Sequence, residues 1–507
     1  MSSANYRKNN TEFASETAEN NIGTAPASGG NVTGKIASGL AWKLLELGGT
    51  QGIQLLVSII LARILTPDEF GTISLITVFL TIANTFVQSG FATSLVQNKD
   101  VDDHDFSSVL WVSLIMAVVM YWALYFSAPA IADFYEMPVL VKLLRLTGII
   151  LFPGAVVSIQ TAHASRSMQF RKLFISNLIA VIISGVIAIV MAVKGFGVIA
   201  MSIQQIAFYF VLMVVMFFTV SWKPAAVLDA GRVKVLIGFG WKILAAGLLD
   251  TIWSNVYSLV IGKKYSAAEL GGFNKGEQFP KIIATNIGNA LQAVMLPAYS
   301  RLQDEKDKLK ELIKKTVQYS EFFLLPMMAG LIATAEPLVS VVLTDKWLFC
   351  VPYLRILSLS YIFWPIHVAN LQSINAQGRS DLFLKLEILK KISGIIFLLI
   401  SLPYGIIFML LMKTINELVC AFINSFSNKK LLGYGFLNQL QDIQRSVICS
   451  VIMGVATYAI SFTGLSGVVL LIVQIITGIA VYIITSLLIN RKLANELIQT
   501  LKAAINR

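Results

Sequence analysis

Residues 173–220 read LFISNLIAVIISGVIAIVMAVKGFGVIAMSIQQIAFYFVLMVVMFFTV, and the only ionised side chain among them is Lys194. A run of about 20 apolar residues is long enough to cross a bilayer as a helix. The break at Lys194-Gly195 divides the stretch into two such runs, 173–193 and 196–220. A transmembrane barrel strand needs only about ten residues of alternating polarity, so a barrel is excluded. Working outward, similar runs begin near residue 36 and follow one another almost without pause. Their approximate spans are 40–62, 72–95, 107–128, 143–163, the two above, 238–261, 280–299, 318–343, 352–375, 385–402, 404–425, 446–463 and 466–489. The expected fold is all-α and polytopic, with fourteen transmembrane helices.

Composition agrees. Of 507 residues, 56% are hydrophobic and 13% charged, and the mean hydropathy is +0.73. A soluble domain carries about 25% charged residues, so most of this surface faces lipid. A soluble enzyme, a secreted disulfide scaffold and a nucleic-acid binder are excluded. The net charge of +12 belongs to Lys and Arg gathered on the cytoplasmic side of a membrane. Cys350, Cys420 and Cys449 have no ligand spacing and read as small apolar residues.

Residues 1–35 are polar, rich in small residues and without periodicity, as expected of a disordered cytoplasmic tail. Gly29 to Lys35 imitates the start of a phosphate-binding loop, but Ile36 stands where Ser or Thr must follow and no strand precedes it. Most of the 40 Lys and Arg fall on the side of the tail, the even-numbered loops and the C-terminus, which predicts both termini in the cytoplasm. The stretch RLQDEKDKLKELIKK at 301–315 is the clearest cytoplasmic segment.

The chain also repeats itself. Gly39-Leu40-Ala41-Trp42-Lys43-Leu44 is echoed by Gly238-Phe239-Gly240-Trp241-Lys242-Ile243. Arg63, Thr66, Glu69 and Gly71 are answered by Lys263, Ser266, Glu269 and Gly271, and Arg166-Ser167 by Arg379-Ser380. The expected division is a tail over 1–35, a six-helix lobe over 36–220, a linker over 221–237, a second six-helix lobe over 238–425, and helices 13 and 14 with the C-terminus over 426–507. Six is even, so the repeat is parallel, a plan in which two lobes rock about a midline site.

The segments LARILTPDEFGTISL (61–75), SGFATSLVQ (89–97) and RSMQFRKL (166–173), with the polar tail, resemble the Wzx-type polysaccharide flippases of the multidrug/oligosaccharidyl-lipid/polysaccharide exporter superfamily. Within it they are nearest the colanic and teichuronic acid branch. The resemblance implies an inner (plasma) membrane protein of bacteria, not an enzyme and without a cofactor. Its substrate would be an undecaprenyl-pyrophosphate-linked oligosaccharide repeat unit. Its partners would be that lipid-linked unit, membrane lipids and the polysaccharide polymerase machinery. The alternative is an ion-coupled multidrug antiporter of the same superfamily. A membrane glycosyltransferase would need a large acidic loop, which this chain lacks.

Candidate site residues are ionised or amide groups placed where lipid makes them costly, about 2.5–3.5 kcal/mol for a central charge. Lys43 and Lys242 match in the two halves: they either snorkel to the membrane edge or jointly hold a pyrophosphate. Arg145 and Arg355 lie nearer the outer ends of helices 4 and 10. Asp250, mid-helix, needs a cation or a proton. Lys413 and Glu417, four apart on one helix face, either neutralise each other or serve substrate or proton; with Asp250 and Glu46, Glu417 is a coupling-ion candidate. Asn286, Asn289, Asn370, Gln372 and Asn375 offer amides to a sugar. Glu321 and Glu336 are further intramembrane charges.

Overall fold

The computed structural model describes residues 48–88, 95, 101–225 and 229–505, and among them the regular structure is helical. The helices are α1 (Gly48–Ile64), α2 (Pro67–Gln88), α3 (Asp103–Tyr135), α4 (Val139–Arg166), α5 (Phe170–Val193), α6 (Val198–Thr219), α7 (Ala230–Lys264) and α8 (Ala267–Ser300). They continue as α9 (Lys306–Leu343), α10 (Asp345–Ala376), α11 (Ser380–Ser401), α12 (Ile406–Leu432), α13 (Phe436–Thr463), α14 (Gly467–Ile489) and a terminal α15 (Arg491–Ile505). Eleven of these are long and apolar enough to cross a membrane. The protein is a multi-pass α-helical membrane protein. Of the other expected spans, α1 is described over only 17 residues, while α8 and α11 each carry four or more ionised side chains.

Several helices outrun the apolar stretch that announces them, because caps and polar turns lie outside that stretch. Pro67 opens α2, where its missing N–H costs nothing. Glu69 accepts the Thr66 N–H at 2.7 Å while Thr66 Oγ1 accepts the Glu69 N–H at 3.4 Å, a reciprocal cap. Ser266 caps α8 with one half of that arrangement, its Oγ accepting the Glu269 N–H at 3.1 Å. The 38 residues of α9 extend for roughly 57 Å at 1.5 Å each, so its basic start projects well beyond a hydrocarbon layer of about 30 Å.

The two halves, α1–α6 and α7–α12, repeat their local structure. Arg145 on α4 donates Nε–H to the Tyr125 carbonyl at 3.3 Å and lies over the Tyr125 ring; Arg355 on α10 donates to the Ile332 carbonyl at 3.3 Å and lies over Tyr458. The turn after α4 has Ser167 at φ −84°, ψ 7°, then Met168 at φ 53°; the turn after α10 has Gln377 at φ −84°, ψ 7°, then Gly378 at φ 67°. The backbone therefore pairs Met168 with Gly378 and corrects the echo read from the letters, which set Arg166 against Arg379. Turn geometry fixes the register, and similar residues three places apart do not.

At one end the halves share a core: Leu61, Phe70, Ile76 and Leu144 cluster with Ile261, Phe273, Trp347 and Leu354. There α2 crosses α8 at backbone contact. A Cβ on Gly71 would lie 1.7 Å from the Ala267 carbonyl oxygen, and one on Gly271 would lie 2.3 Å from that of Pro67. Trp347, fully buried, donates Nε1–H to the Ala62 carbonyl at 2.9 Å and meets Phe70 edge-on at 5.4 Å. Lys346 reaches the Arg63 carbonyl at 2.9 Å, and Lys263 pairs with Glu136 at 2.8 Å. That hydrogen bond holds the Glu136 carboxyl below the usual carboxylate range.

At the other end the cores are separate. Leu95, Phe106, Leu173 and Trp222 pack within the first half, and Tyr299, Ile313, Ala376 and Tyr434 within the second and its neighbour α13. Among the described residues the molecule is thus sealed at the end carrying the odd-numbered loops, where the halves share a core, and split at the end carrying the even-numbered ones, where each half has its own. Helices α13 and α14 lie against α9, with Ile472, Ile476, Ile479 and Ile483 turned outward as a lipid-facing stripe.

Candidate functional site

Below the seal, a cavity of about 370 Å³ lies between the halves. Its charged wall is α8: Asn274, Glu277, Gln278 and Lys281 recur at helical spacing on one face, with Lys275 beside them. Lys275 is only 4% exposed. Its ammonium donates to Ser58 Oγ at 2.5 Å and to the Ser58 carbonyl and Gln278 Oε1 at 3.3 Å, and lies 4.2 Å above the Phe70 ring. Among the described residues it forms no ion pair. Glu277 binds both Lys413 of α12 at 2.7 Å and Lys281 at 3.4 Å. Glu277 thus pairs with two ammonium groups, while Lys275 stands buried on the same helix without an acidic partner among the described residues, where an uncompensated charge is costly. The arrangement is complementary to an anion.

The opposite wall belongs to α2 and α6. A second cavity of about 220 Å³ adjoins the first through Thr77 and Gln205 and is lined by Thr81, Asn84, Thr85, Gln88 and Tyr209. Gln205 Nε2 donates to Thr77 Oγ1 at 3.0 Å, and Gln88 Nε2 donates to Asn84 Oδ1 at 2.8 Å. Thr85 and Thr251 share a hydrogen bond of 3.1 Å across the halves. The polar positions 77, 81, 84, 85 and 88 recur at helical spacing inside an apolar span. That stripe is readable in the sequence as polar positions inside an apolar span, whereas Lys275 and Glu277 fall before the expected span 280–299 and give no intramembrane signal.

A third cavity, of about 400 Å³, lies within the second half between α7, α8, α10, α11 and α12. It gathers Trp253, Gln292, Trp364, Gln372 and Asn375 with the pair His367–Glu417, whose nearest atoms are 3.3 Å apart. Lys390 bonds Glu387 at 2.5 Å, and Lys391 approaches Asp250 to 3.8 Å.

The candidates from the sequence therefore separate. Lys43 and Glu46 lie outside the described residues; Lys242 falls on α7, and its side chain lies outside them too. Asp250 has the cation it required, Lys391, but its side chain is 77% exposed. The Lys413–Glu417 neutralisation is corrected: each bonds to a different helix, Lys413 to Glu277 and Glu417 to His367. Gln372 and Asn375 meet at the third cavity. Asn370 does not. It is fully buried, exchanges hydrogen bonds of 2.9 Å with Gln439, and accepts one of 2.7 Å from Asn428. It ties α10 to α12 and α13, leaving no amide for a ligand. Asn286 and Asn289 on α8 line none of these cavities. Arg145 and Arg355 are spent on helix-to-helix contacts, Arg355 beside a groove of apolar side chains. Glu321 is fully buried on α9, with neither carboxyl oxygen hydrogen-bonded among the described residues.

A family model described as "Polysaccharide biosynthesis protein" matches residues 60–352, more than half of the chain. The chain belongs to that family. The match spans the seal, the α8 charges and the α2–α6 wall, and stops where α10 begins. The chain is 24% identical over 325 residues to the succinoglycan biosynthesis transport protein ExoT of Rhizobium meliloti, covering 64% of this chain and 66% of that protein. It is 23% identical over 447 residues to the teichuronic acid biosynthesis protein TuaB of Bacillus subtilis, covering 85% and 90%. Among solved structures, it is similar to the lipid II flippase MurJ in an inward closed conformation, with a TM-score of 0.75 and 17% identity over 90% of this chain and 99% of that one. The fold is shared with that flippase.

Proposed function

We propose that the protein is a flippase for an undecaprenyl-pyrophosphate-linked oligosaccharide repeat unit, moving it across the membrane by alternating access to supply exopolysaccharide or lipopolysaccharide assembly. The observation that carries this is the interlobe cavity: sealed at one end, split at the other, and lined by Lys275 and Lys281 against one carboxylate, Glu277, which also binds Lys413. Family membership and the polysaccharide transport names of the relatives support the substrate class. The fold shared with a lipid II flippase supports the mode of action. A cationic drug would meet repulsion where a pyrophosphate meets charge-assisted hydrogen bonds, so the cavity disfavours the antiporter alternative.

In this reading α1, α8 and α11 join the eleven apolar helices to give fourteen spans, and α1–α6 and α7–α12 are the two lobes. Both termini lie in the cytoplasm of a bacterial plasma (inner) membrane. The split end, which carries the basic segment 301–315, then faces the cytoplasm. A head group entering there would reach Lys275, and Lys43 and Lys242 are kept from the sequence as its further phosphate ligands. Lys275 joins the lobes through Ser58, so a phosphate that takes its hydrogen bonds removes a contact between α1 and α8 and biases the seal toward opening. Only a ligand that binds the two states differently can shift that balance. An ion gradient, if it drives return, would act through the Glu417–His367 and Asp250–Lys391 pairs, with Glu46 kept from the sequence as a third candidate. A polymerase would consume the product on the far face.

Deleting the gene tests the reading. Surface polysaccharide should disappear and the lipid-linked repeat unit accumulate in the cytoplasmic leaflet. Unchanged polysaccharide with raised sensitivity to cationic drugs would favour the antiporter.

A further inference from the structure

From the sequence, the amides offered to a sugar lie on helices of the second half. The structure divides the chemistry differently. We propose that the α2–α6 wall is a saccharide subsite, which takes the first sugar ring next to the pyrophosphate while α8 takes the phosphates. This deepens the flippase reading and rests on it.

The lining is polarised. All ionised groups of the central cavity stand on α8. The adjoining cavity is lined by threonine hydroxyls, the amides of Asn84, Gln88 and Gln205, and the Tyr209 hydroxyl, with Leu80 and Ile150 as its apolar members. A wall of neutral donors and acceptors matches a polyhydroxylated ring; a metal ion would want carboxylates, and a lipid tail would want an apolar wall. The two cavities share Thr77 and Gln205, so one ligand can occupy both. At about 220 Å³ the annex falls below the 300–1,000 Å³ or so of drug-sized sites, which suits a single ring rather than a chain.

Part of the wall is fixed and part is free. Gln88 is held by Asn84 and by the Gly154 carbonyl at 3.3 Å, where α4 approaches so closely that a Cβ on Gly154 would lie 3.3 Å from both amides. Gln204, facing the central cavity, makes no side-chain hydrogen bond among the described residues, and the Gln205 side-chain carbonyl accepts none. Fixed neighbours with uncommitted amides form a preorganised hydrogen-bonding surface.

The test uses the full chain in detergent and two probes: undecaprenyl pyrophosphate without sugar, and the lipid-linked glycan extracted from cells lacking the gene. The double variant Gln204→Ala with Gln205→Ala should weaken binding of the glycan lipid about tenfold, the loss expected for two neutral hydrogen bonds. Its affinity for undecaprenyl pyrophosphate should be unchanged, which also reports that the variant is folded. Lys275→Gln should weaken both probes. Equal weakening of both probes by the glutamine variant, or none of either, would overturn the subsite. If the unaltered chain bound neither probe, the flippase reading itself would fall.

Discussion

Replacing Gly71 by Ala perturbs the seal at its narrowest point. The added Cβ would lie 1.7 Å from the Ala267 carbonyl oxygen, 2.4 Å from its carbon and 2.9 Å from its Cα, whereas ordinary contact begins at 3.4 Å. All three atoms are backbone, so no rotamer change can relieve the clash. α2 and α8 must part by nearly 2 Å, against the packing of Phe70, Phe273 and Trp347. Overpacking of this kind costs about 1–3 kcal/mol, and it falls only on the state in which this end is closed. The sealed population should therefore drop by about five- to 150-fold relative to the open one. Ser74 lines the cavity below the crossing. In a chain with Cys350, Cys420 and Cys449 changed to Ala, a Ser74→Cys reporter should react with a membrane-impermeant maleimide from the split side only. Adding Gly71→Ala should raise its reaction from the sealed side at least fivefold. No increase, with the protein at normal amount in the membrane, would refute the claim that this crossing closes the cavity.

Asn370→Ala should lower the melting temperature of the detergent-purified chain, since unpairing the buried Gln439 and Asn428 amides costs about 2–3 kcal/mol, while ligand affinity of the folded fraction stays the same; lost affinity at unchanged stability would restore Asn370 to the site. A topology reporter fused after Lys315 should lie in the cytoplasm and one at Asp345 outside, and the reverse pattern would invert the assigned direction of transport. If Lys43 and Lys242 jointly hold the pyrophosphate, changing both to Gln should abolish polysaccharide export at normal protein level and cost more than either single change. Near-normal export would leave snorkelling as their role.

The membrane fold was legible because lipid imposes a length on apolar runs: the expected span 466–489 is the helix Gly467–Ile489, and 173–193 lies inside Phe170–Val193. Thr66 with Glu69 and Ser266 with Glu269 stood out in the sequence only as members of the repeat, and the structure shows that the echo is one of helix caps. The site was less legible. Charges on one helix suggested that Lys413 would neutralise Glu417, yet each found its partner on another helix. Asn370 and Gln372 stand two residues apart in the sequence, and only three-dimensional packing sends one into a helix junction and the other to a cavity. Lys275 and Lys281 could not be ranked above other lysines without knowing that α8 faces a second half. The register of the second echo failed because letters can match three places away from the turn that sets the backbone.

The central claim is that this chain moves a lipid-linked oligosaccharide between leaflets. The direct measurement reconstitutes the full-length chain in vesicles whose outer-leaflet lipid-linked glycan is first removed by an impermeant glycosidase. The glycan that then becomes accessible on the outside is followed over time. The account predicts that it appears faster than in protein-free vesicles and that Lys275→Gln slows it at equal protein content. Appearance no faster than in empty vesicles, with folded protein present, would contradict it.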